Sequence, residues 1–277
     1  MKANFELEWM GGAAEHHFRK ARPGIDDLPW GTLDVSDYAP DLRAAACASW
    51  TESAFTEYKA VVAFTEVLRA LAEARAPLDL IGMASSFVAD EVVHVELASR
   101  VAMELGGAAP RPVDFNAIYM RAPDGLTPFQ RANEMVVRVS AVAEAFSGRM
   151  ALPAMRGTTH PLTRAVYERI VADESLHHRL GGLYLEWASP EMDDAERERL
   201  AGVALDTLQA LSRSWRASRA GDSPRRRATR AQIAEIGWIE APIFKAQVEN
   251  AVREAIVAPL ATFGIEIPAA EVDALLA

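Results

Sequence analysis

The stretch DEVVH at residues 90–94 shares its pattern with DESLH at residues 173–177. Each copy reads Asp-Glu-x-x-His. Positions i and i+3 of an α-helix lie on one face, so each copy directs one carboxylate and one imidazole the same way. Two such helices build a metal site in a helical core when two further helices add a carboxylate each. The candidate metal ligands of the two copies are Glu91, His94, Glu174 and His177.

Two upstream glutamates are the best candidates for the further carboxylates. A ligand glutamate must lie on a core-facing stripe, and Glu57 recurs at helical spacing among apolar residues, while Glu144 does so among apolar or small ones. The rival acids Glu52 and Glu66 group with polar residues instead, which indicates solvent faces. If two antiparallel helices form a hairpin, each upstream glutamate would lie at nearly the same level along the helix axes as the glutamate of the following motif. The sequence therefore divides into two similar halves.

The distribution of proline and glycine predicts an all-α fold with long helices. The expected helices cover residues 41–74, 77–105, 128–155, 162–188, 191–219, 229–262 and 268–277, after an irregular arm with a short helix near residues 13–20. The first four are joined by a short, a long and a short connection. We expect a four-helix bundle at about residues 41–188 with one long crossover, an N-terminal arm, and C-terminal helices at 191–277 packed on it. We expect one domain over residues 1–277.

Composition narrows the class of protein. Half of the 277 residues are hydrophobic, so a sizeable core is expected, and the formal net charge of -10 disfavours nucleic acid as a partner. The lone cysteine, Cys47, cannot form an internal disulfide and fits a reducing, cytoplasmic compartment. Neither a signal peptide nor a membrane-spanning segment is evident. Four carboxylates facing one core would repel each other, and two divalent cations would neutralise them.

Asp90 and Asp173 precede the motif glutamates and point about 100° away around their helices. A histidine that binds a metal through one nitrogen usually donates its other N–H to a carboxylate or carbonyl. We therefore expect a crosswise arrangement, in which Asp90 supports His177 and Asp173 supports His94. The alternative is that each is an ordinary surface aspartate.

At these residues the chain resembles the ferritin-like di-iron carboxylate superfamily, whose members include bacterioferritin, rubrerythrin, manganese catalase and the arylamine N-oxygenases. The resemblance covers about residues 41–188. It implies a di-metal centre with the six ligands Glu57, Glu91, His94, Glu144, Glu174 and His177, which would also be the catalytic centre. The arylamine N-oxygenases have a further histidine one turn before the last motif. This chain has Ile170 there, so their seven-ligand site is not reproduced.

Several other residues have two interpretations each. His178 either supports the ligands or is itself one. Tyr58 and Tyr184 either act near the metals, by hydrogen bonding or radical quenching, or simply pack in the core. The arginines at residues 225–227 indicate a solvated loop, or else a site for phosphate or an acidic partner. Small residues near the ligands leave room for a substrate cavity, or allow close helix packing.

The ligand types suit two iron ions, and manganese fits as well. The resemblance implies an O2-activating oxygenase or oxidase with a small organic substrate. More than a hundred residues outside the bundle favour this activity, because such additions typically shape a pocket or a dimer interface, which leaves a homodimer open. The alternatives are ferroxidase, peroxidase or catalase chemistry, and a metal-free helical scaffold. The electron donor stays unknown.

Overall fold

The computed structural model describes residues 3–217 and 224–277, and nearly all of its regular structure is helical. The helices are α1 (Gly12–Ala21), α2 (Pro40–Glu73), α3 (Leu78–Glu104), α4 (Pro128–Val136), α5 (Ala145–Gly157), α6 (Pro161–His177), α7 (Arg179–Ala188), α8 (Asp194–Ala217), α9 (Pro224–Arg227), α10 (Arg230–Ile236), α11 (Ala241–Asn250), α12 (Ala258–Ala261) and α13 (Ala269–Leu276). The two-residue strands β1 (Ala3–Asn4) and β2 (Pro112–Val113) pair antiparallel. The predicted all-α class is confirmed.

Four helical rods pack side by side around the core. The first two are α2 and α3, joined by a short turn in which Arg75 takes a left-handed φ of 57°. The third consists of α4, the π-helical segment Val137–Glu144 and α5, and the fourth of α6 and α7. The second rod packs on the first and the fourth, and the third rod also packs on both of these. The long connection between α3 and α4 contains β2 and the 3₁₀ turn Phe115–Ala117.

The third rod is continuous, but it is not a regular α-helix. It begins with a capping box, in which the Thr127 hydroxyl accepts from Gln130 N and the Gln130 side chain accepts from Thr127 N. The π-helical segment Val137–Glu144 then widens the rod, and Glu144 is its last residue. The rod also continues past Pro153 to Gly157, so this proline does not end it. Wide turns of this kind occur frequently at functional sites.

Two expected helices are interrupted. The helix expected at 162–188 has a turn at His178, between α6 and α7. The prediction of one helix over residues 229–262 was wrong, because the helical structure is interrupted at residues 237–240. Gly237 ends α10 with φ of 82°, a left-handed conformation that favours glycine, and Pro242 then lies in the first turn of α11. The periodicity on both sides hides this break.

The remaining elements cover the rods. Helix α8 packs on the π-helical segment Val137–Glu144, and α11 with the second π-helical segment, Ala251–Val257, packs on α5. The N-terminal arm contributes Phe5 and Ile25 to the core. Part of the expected polar loop, residues 221–223, and the end of the helix expected at 191–219 lie outside the described residues. No helix in the described part of the chain is long and apolar enough to cross a membrane.

The apolar core consists of two clusters that succeed each other along the rods. On α2, Phe55 belongs to one cluster and Phe64 to the other, with Glu57 between them. On α3, Glu91 likewise separates Phe87 from Val93. The same change occurs on the fourth rod near Glu174. The acidic residues therefore meet at the boundary between two well-packed apolar regions, which holds their helices in a fixed register.

Candidate metal centre

The structure brings together all six residues proposed as metal ligands. They form two groups of four, and in each group one ligand atom per residue lies within 4.8 Å of the others. The first group is Glu57, Glu91, His94 and Glu174, and the second is Glu91, Glu144, Glu174 and His177. Every rod contributes to this cluster, which we call the carboxylate–histidine cluster. A buried cluster of this composition is able to hold a metal ion.

Glu91 lies between the two imidazoles. Its Oε2 is 3.4 Å from His94 Nδ1, and its Oε1 is 3.0 Å from His177 Nδ1. Glu174 Oε1 is also near both rings, at 3.6 Å from His94 Nδ1 and 3.8 Å from His177 Nδ1. Glu144 approaches only the second ring, with Oε2 at 3.8 Å from Nδ1. Glu91 and Glu174 therefore belong to both groups, whereas Glu57 and Glu144 each belong to one.

The outward nitrogens of the two histidines face aspartates in the crosswise arrangement. His94 Nε2 lies 3.3 Å from Asp173 Oδ2, and His177 Nε2 lies 3.6 Å from Asp90 Oδ2. Each aspartate in turn meets an arginine. Arg169 Nε donates to Asp173 Oδ2 at 2.9 Å, and Arg22 Nε lies 3.0 Å from Asp90 Oδ1. Both imidazoles are thus oriented with Nδ1 toward the cluster and Nε2 toward an aspartate–arginine pair.

The cluster strongly perturbs the histidines and the carboxylate between them. Burial opposes the charged imidazole of His177, but Asp90, Glu144 and Glu91 outweigh burial and raise its pKa to about 12. Asp173 and Glu91 likewise outweigh burial and raise the pKa of His94 well above its usual range. Burial by itself would raise the pKa of Glu91, yet the two imidazoles lower it to about 2. The protein's own cations thus stabilise one carboxylate.

Two other carboxylates are left with an unfavourable environment. Burial, and then the charge of Glu91, raise the pKa of Glu57 well above its usual range. Burial, with Glu144 and Glu91, does the same for Glu174. Glu57 is half-buried, and it lines the cavity described below. Two imidazoles are too few to balance four carboxylates at one place, so the cluster favours additional positive charge.

Several buried polar atoms of the cluster make no hydrogen bond within the described residues. One of them, His177 Nε2, lies on the Asp90 side, at 3.6 Å from Asp90 Oδ2. The atoms that face the cluster are both carboxylate oxygens of Glu91, Glu144 Oε2, His94 Nδ1 and His177 Nδ1. Leaving a buried polar group unsatisfied costs about 1–3 kcal/mol, and more for a charged one. A divalent cation would satisfy these atoms, because carboxylate oxygens and imidazole nitrogens are its usual ligands. The donor set therefore fits a metal ion, while the metal's identity and number stay predictions.

Other candidate residues lie outside the two groups. His178 is exposed, and its Nδ1 pairs with the Glu174 carbonyl at 3.0 Å. Tyr184 is fully buried, but its hydroxyl donates to Asn133 Oδ1 at 2.7 Å, in a separate polar network on the third rod. Tyr58 packs against Phe5, with ring centroids 5.5 Å apart. Within the described residues, no hydrogen bond joins either tyrosine hydroxyl to the cluster, and a role for them beside the metals stays a prediction.

A cavity of about 440 Å³ adjoins the carboxylate–histidine cluster. Glu57 and Glu174 form part of its wall, and most of the remaining lining is apolar or aromatic. Aromatic lining residues include Trp50, Phe146, Tyr167, Trp215, Trp238 and Phe244. Cavities of about 300–1,000 Å³ with apolar walls and few polar groups are typical of small-molecule sites. Of the two roles expected for small residues, cavity formation applies to Ala98, Ser147 and Ala151, which line this space.

The sequence patterns did not predict the residues that form the far wall of this cavity. The break at residues 237–240 brings Gly237 and Trp238 to the cavity, and Arg225 of α9 lies beside them. Of the two interpretations of the arginine tract, the solvated loop is wrong for Arg225, which is half-buried and lines the cavity. The glycine and proline at the break were visible in the sequence, and they were the available signal.

A second cavity of about 320 Å³ is also lined by Glu174. His178, Ser175 and Glu254 contribute its polar lining, together with Arg149. Glu174 therefore adjoins two separate spaces, one mainly aromatic and one with several polar side chains.

Comparison with known proteins assigns no family to the chain, so the interpretation of the site rests on its geometry. No family model matches the chain, and neither a curated protein nor a solved structure matches it.

Proposed function

We propose that this protein is a di-iron oxygenase of the ferritin-like class that acts on a small organic substrate. The observation that carries the proposal is the direct contact between the carboxylate–histidine cluster and the aromatic cavity of about 440 Å³, whose wall includes Glu57 and Glu174. The arrangement of four rods, joined by short, long and short connections, supports the ferritin-like class.

The two groups would each hold one ion. Glu57 and His94 would belong to the first ion, Glu144 and His177 to the second, while Glu91 and Glu174 would contact both. When bound, a pair of ferrous ions supplies the O2-activating redox chemistry; manganese is the alternative metal. Four carboxylates would balance the charge of two divalent ions, which resolves the repulsion described above.

The chain's own residues would perform the remaining tasks. Asp90 and Asp173 would hold the Nε2 protons of the histidines, so that both Nδ1 atoms stay available for the metals. The aromatic wall would exclude water and position an apolar substrate next to Glu57 and Glu174. Ser147, whose hydroxyl lies 3.5 Å from Glu174 Oε2, would orient that carboxylate at the border between cluster and cavity.

A ferroxidase is the second candidate, and the second cavity favours it. His178, Ser175 and Glu254 offer oxygen and nitrogen donors on a path toward Glu174, which suits an entering cation. The two candidates differ in what the aromatic cavity does. An oxygenase needs that cavity for its organic substrate, whereas a ferroxidase needs only the path for iron.

A variant that fills the aromatic cavity distinguishes them. Ala151 lines the cavity without belonging to the cluster, so Ala151→Phe should occupy the substrate space and leave the ligands in place. Ala172 on α6 is exposed, and Ala172→Phe adds the same side chain on the outside as a matched control. Each protein is loaded anaerobically with Fe(II) and mixed with O2 and a panel of small organic molecules. Oxygen uptake and ¹⁸O incorporation into products are then measured.

The oxygenase proposal expects substrate-dependent oxygen uptake and labelled product in the wild type and in Ala172→Phe. Ala151→Phe should keep its iron and lose both signals. Oxygen uptake that needs no organic molecule, and is equal in all three proteins, would establish the ferroxidase instead. Failure of the wild type to bind iron would remove both functions and leave the helical scaffold.

A further inference from the structure

The wall of the aromatic cavity opposite the cluster is formed by α9 and the break at residues 237–240. Arg225 Nη2 donates to the Ile239 carbonyl at 2.8 Å, and its guanidinium lies 5.2 Å from the Trp238 ring centroid. These two contacts hold the planar guanidinium against the break. Among the described residues that line the cavity, Arg225 is the single cation.

The break itself is anchored to the rods by side chains of the cavity. Trp50 Nε1 donates to the Ile236 carbonyl at 3.0 Å, and the Tyr167 hydroxyl donates to the Gly237 carbonyl at 3.0 Å. Trp238 Nε1 donates to Ser49 Oγ at 3.0 Å. These bonds join residues far apart in the chain, so the wall has a defined position relative to the cluster. Arg225 is thus presented to the cavity by a built structure rather than by a free surface loop.

Charge is distributed unevenly across this cavity. Glu57 and Glu174 lie on the cluster side and Arg225 on the side of the break, while the third lining carboxylate, Glu52, is already paired with Arg111 at 2.9 Å. Tyr167 also lines the cavity: burial raises its pKa, Arg225 opposes this, and Glu57 adds to it. Aromatic residues make up much of the remaining lining. A ligand with an apolar body and one anionic group would match this pattern, with its anion at Arg225 and its other end at the cluster.

We infer that the aromatic cavity binds an organic carboxylate, whose carboxylate group pairs with Arg225 while its apolar body extends toward Glu57 and Glu174. That this ligand is also the substrate rests on the proposed function. A guanidinium presents N–H groups that match a carboxylate in a bidentate pair, and a partly desolvated site strengthens that pair. Because Arg225 is the one cation among the described lining residues, the orientation that places the carboxylate group at Arg225 is the favoured one.

The test measures binding without O2, so that it does not depend on turnover. Protein loaded anaerobically with Fe(II) is titrated with 3-phenylpropanoate and with 3-phenylpropanamide, which has nearly the same shape and no charge. Tryptophan fluorescence follows binding, since Trp50, Trp215 and Trp238 line the cavity. The variant Arg225→Gln removes the charge. Arg226→Gln is the matched control, because Arg226 is the neighbouring arginine of α9 and is exposed.

The wild type and Arg226→Gln should bind the carboxylate more tightly than the amide. Arg225→Gln should lose roughly 10- to 100-fold in carboxylate affinity, as expected for a hydrogen bond to a charged group, and keep its affinity for the amide. Arg225→Lys should recover part of the loss. Equal binding of both probes by the wild type would overturn the inference, and so would an unchanged preference in a folded Arg225→Gln variant, which would indicate that the iron itself binds the carboxylate.

Two further arms complete the test. Inorganic phosphate has charge but no apolar body, and should compete weakly; phosphate as effective as 3-phenylpropanoate would overturn the organic part of the inference. If Arg225→Gln does not fold, the wild-type preference and Arg225→Lys still decide the outcome. A charge preference that depends on Arg225, combined with no effect of Ala151→Phe on oxygen uptake, would refute the oxygenase and retain the carboxylate site.

Discussion

The two groups of the carboxylate–histidine cluster share some ligands, and this makes single substitutions informative. Glu91 belongs to both groups, whereas Glu57 belongs to one. We predict that Glu57→Gln loses one metal ion and retains the other, while Glu91→Gln loses both. The amide keeps the size of the side chain and removes its charge, so that packing changes little.

The expected loss of metal affinity follows from the charge that each substitution removes. Each carboxylate contributes one negative charge against a divalent ion within a few ångströms. At a separation of about 4 Å and an effective dielectric constant of about 20, one such charge is worth roughly 4 kcal/mol for each unit of positive charge. For a divalent ion the sum is roughly 8 kcal/mol, which sets an upper limit of about a millionfold in metal affinity. Glu91 would contribute this to both ions, since its two oxygens face different histidines.

The assay is metal content by mass spectrometry after Mn(II) loading and desalting, with circular dichroism as the test of folding. The wild type should hold two ions, one for each group. Glu96→Gln is the control, because Glu96 is a buried carboxylate of the same helix that pairs with Arg19 at 2.6 Å, away from the cluster. It should lower stability and leave the metal content unchanged.

Two results would refute this reasoning. Full metal content in Glu91→Gln would show that the ions lie elsewhere. Equal loss of both ions in Glu57→Gln would show that the two groups are not separate sites. An Ala substitution at His177 adds a check: it should reduce metal content strongly and leave the helical dichroism nearly intact.

Three further predictions concern the surroundings of the cluster. Arg22→Ala frees Asp90, so the affinity for the ion beside His177 should fall by up to about 10- to 100-fold while dichroism stays constant; an unchanged affinity would exclude this support. The pKa of His177 is raised to about 12 in the fold against an ordinary value of 6.5, so the stability it contributes is complete below pH 6.5 and is lost as pH rises. With chelator present, the melting temperature should therefore fall between pH 7 and pH 9 in calorimetry, and saturating Mn(II) should reduce this fall; a rise would contradict the sign. A Cβ on Gly237 would lie 2.6 Å from Tyr167 Cε2, so Gly237→Ala should cost about 1–3 kcal/mol in urea unfolding, whereas Gly182→Ala, with open space around it, should not destabilise; equal effects would show that the break relaxes freely.

Local patterns were sufficient to predict most of the cluster. The spacing of each Asp-Glu-x-x-His motif sets its carboxylate and imidazole on one face of a helix, whatever the rest of the chain does. Glu57 and Glu144 could be chosen because each interrupts an apolar stripe, and buried stripes identify the core side of a helix. The crosswise placement of Asp90 and Asp173 also follows from helical geometry, since neighbouring residues on a helix point about 100° apart.

Other features depend on contacts that periodicity does not encode. Tyr184 lies on the same stripe as Glu174, but it is nearly three turns further along, where its hydroxyl meets Asn133 instead of the cluster. The break at residues 237–240 is stabilised by Trp50 and Tyr167, which are far from it in the chain. A helix was expected there because the apolar pattern continues on both sides.

The sequence by itself determined that the chain is helical and which carboxylates and histidines would meet, because helix periodicity is a local property of the residues. Only the tertiary structure decided which ligands are shared between the two groups, and that Arg225 and Trp238 close a cavity against Glu57 and Glu174. Those contacts join segments separated by about 50 to 180 residues, and they arise from the packing of whole helices against one another.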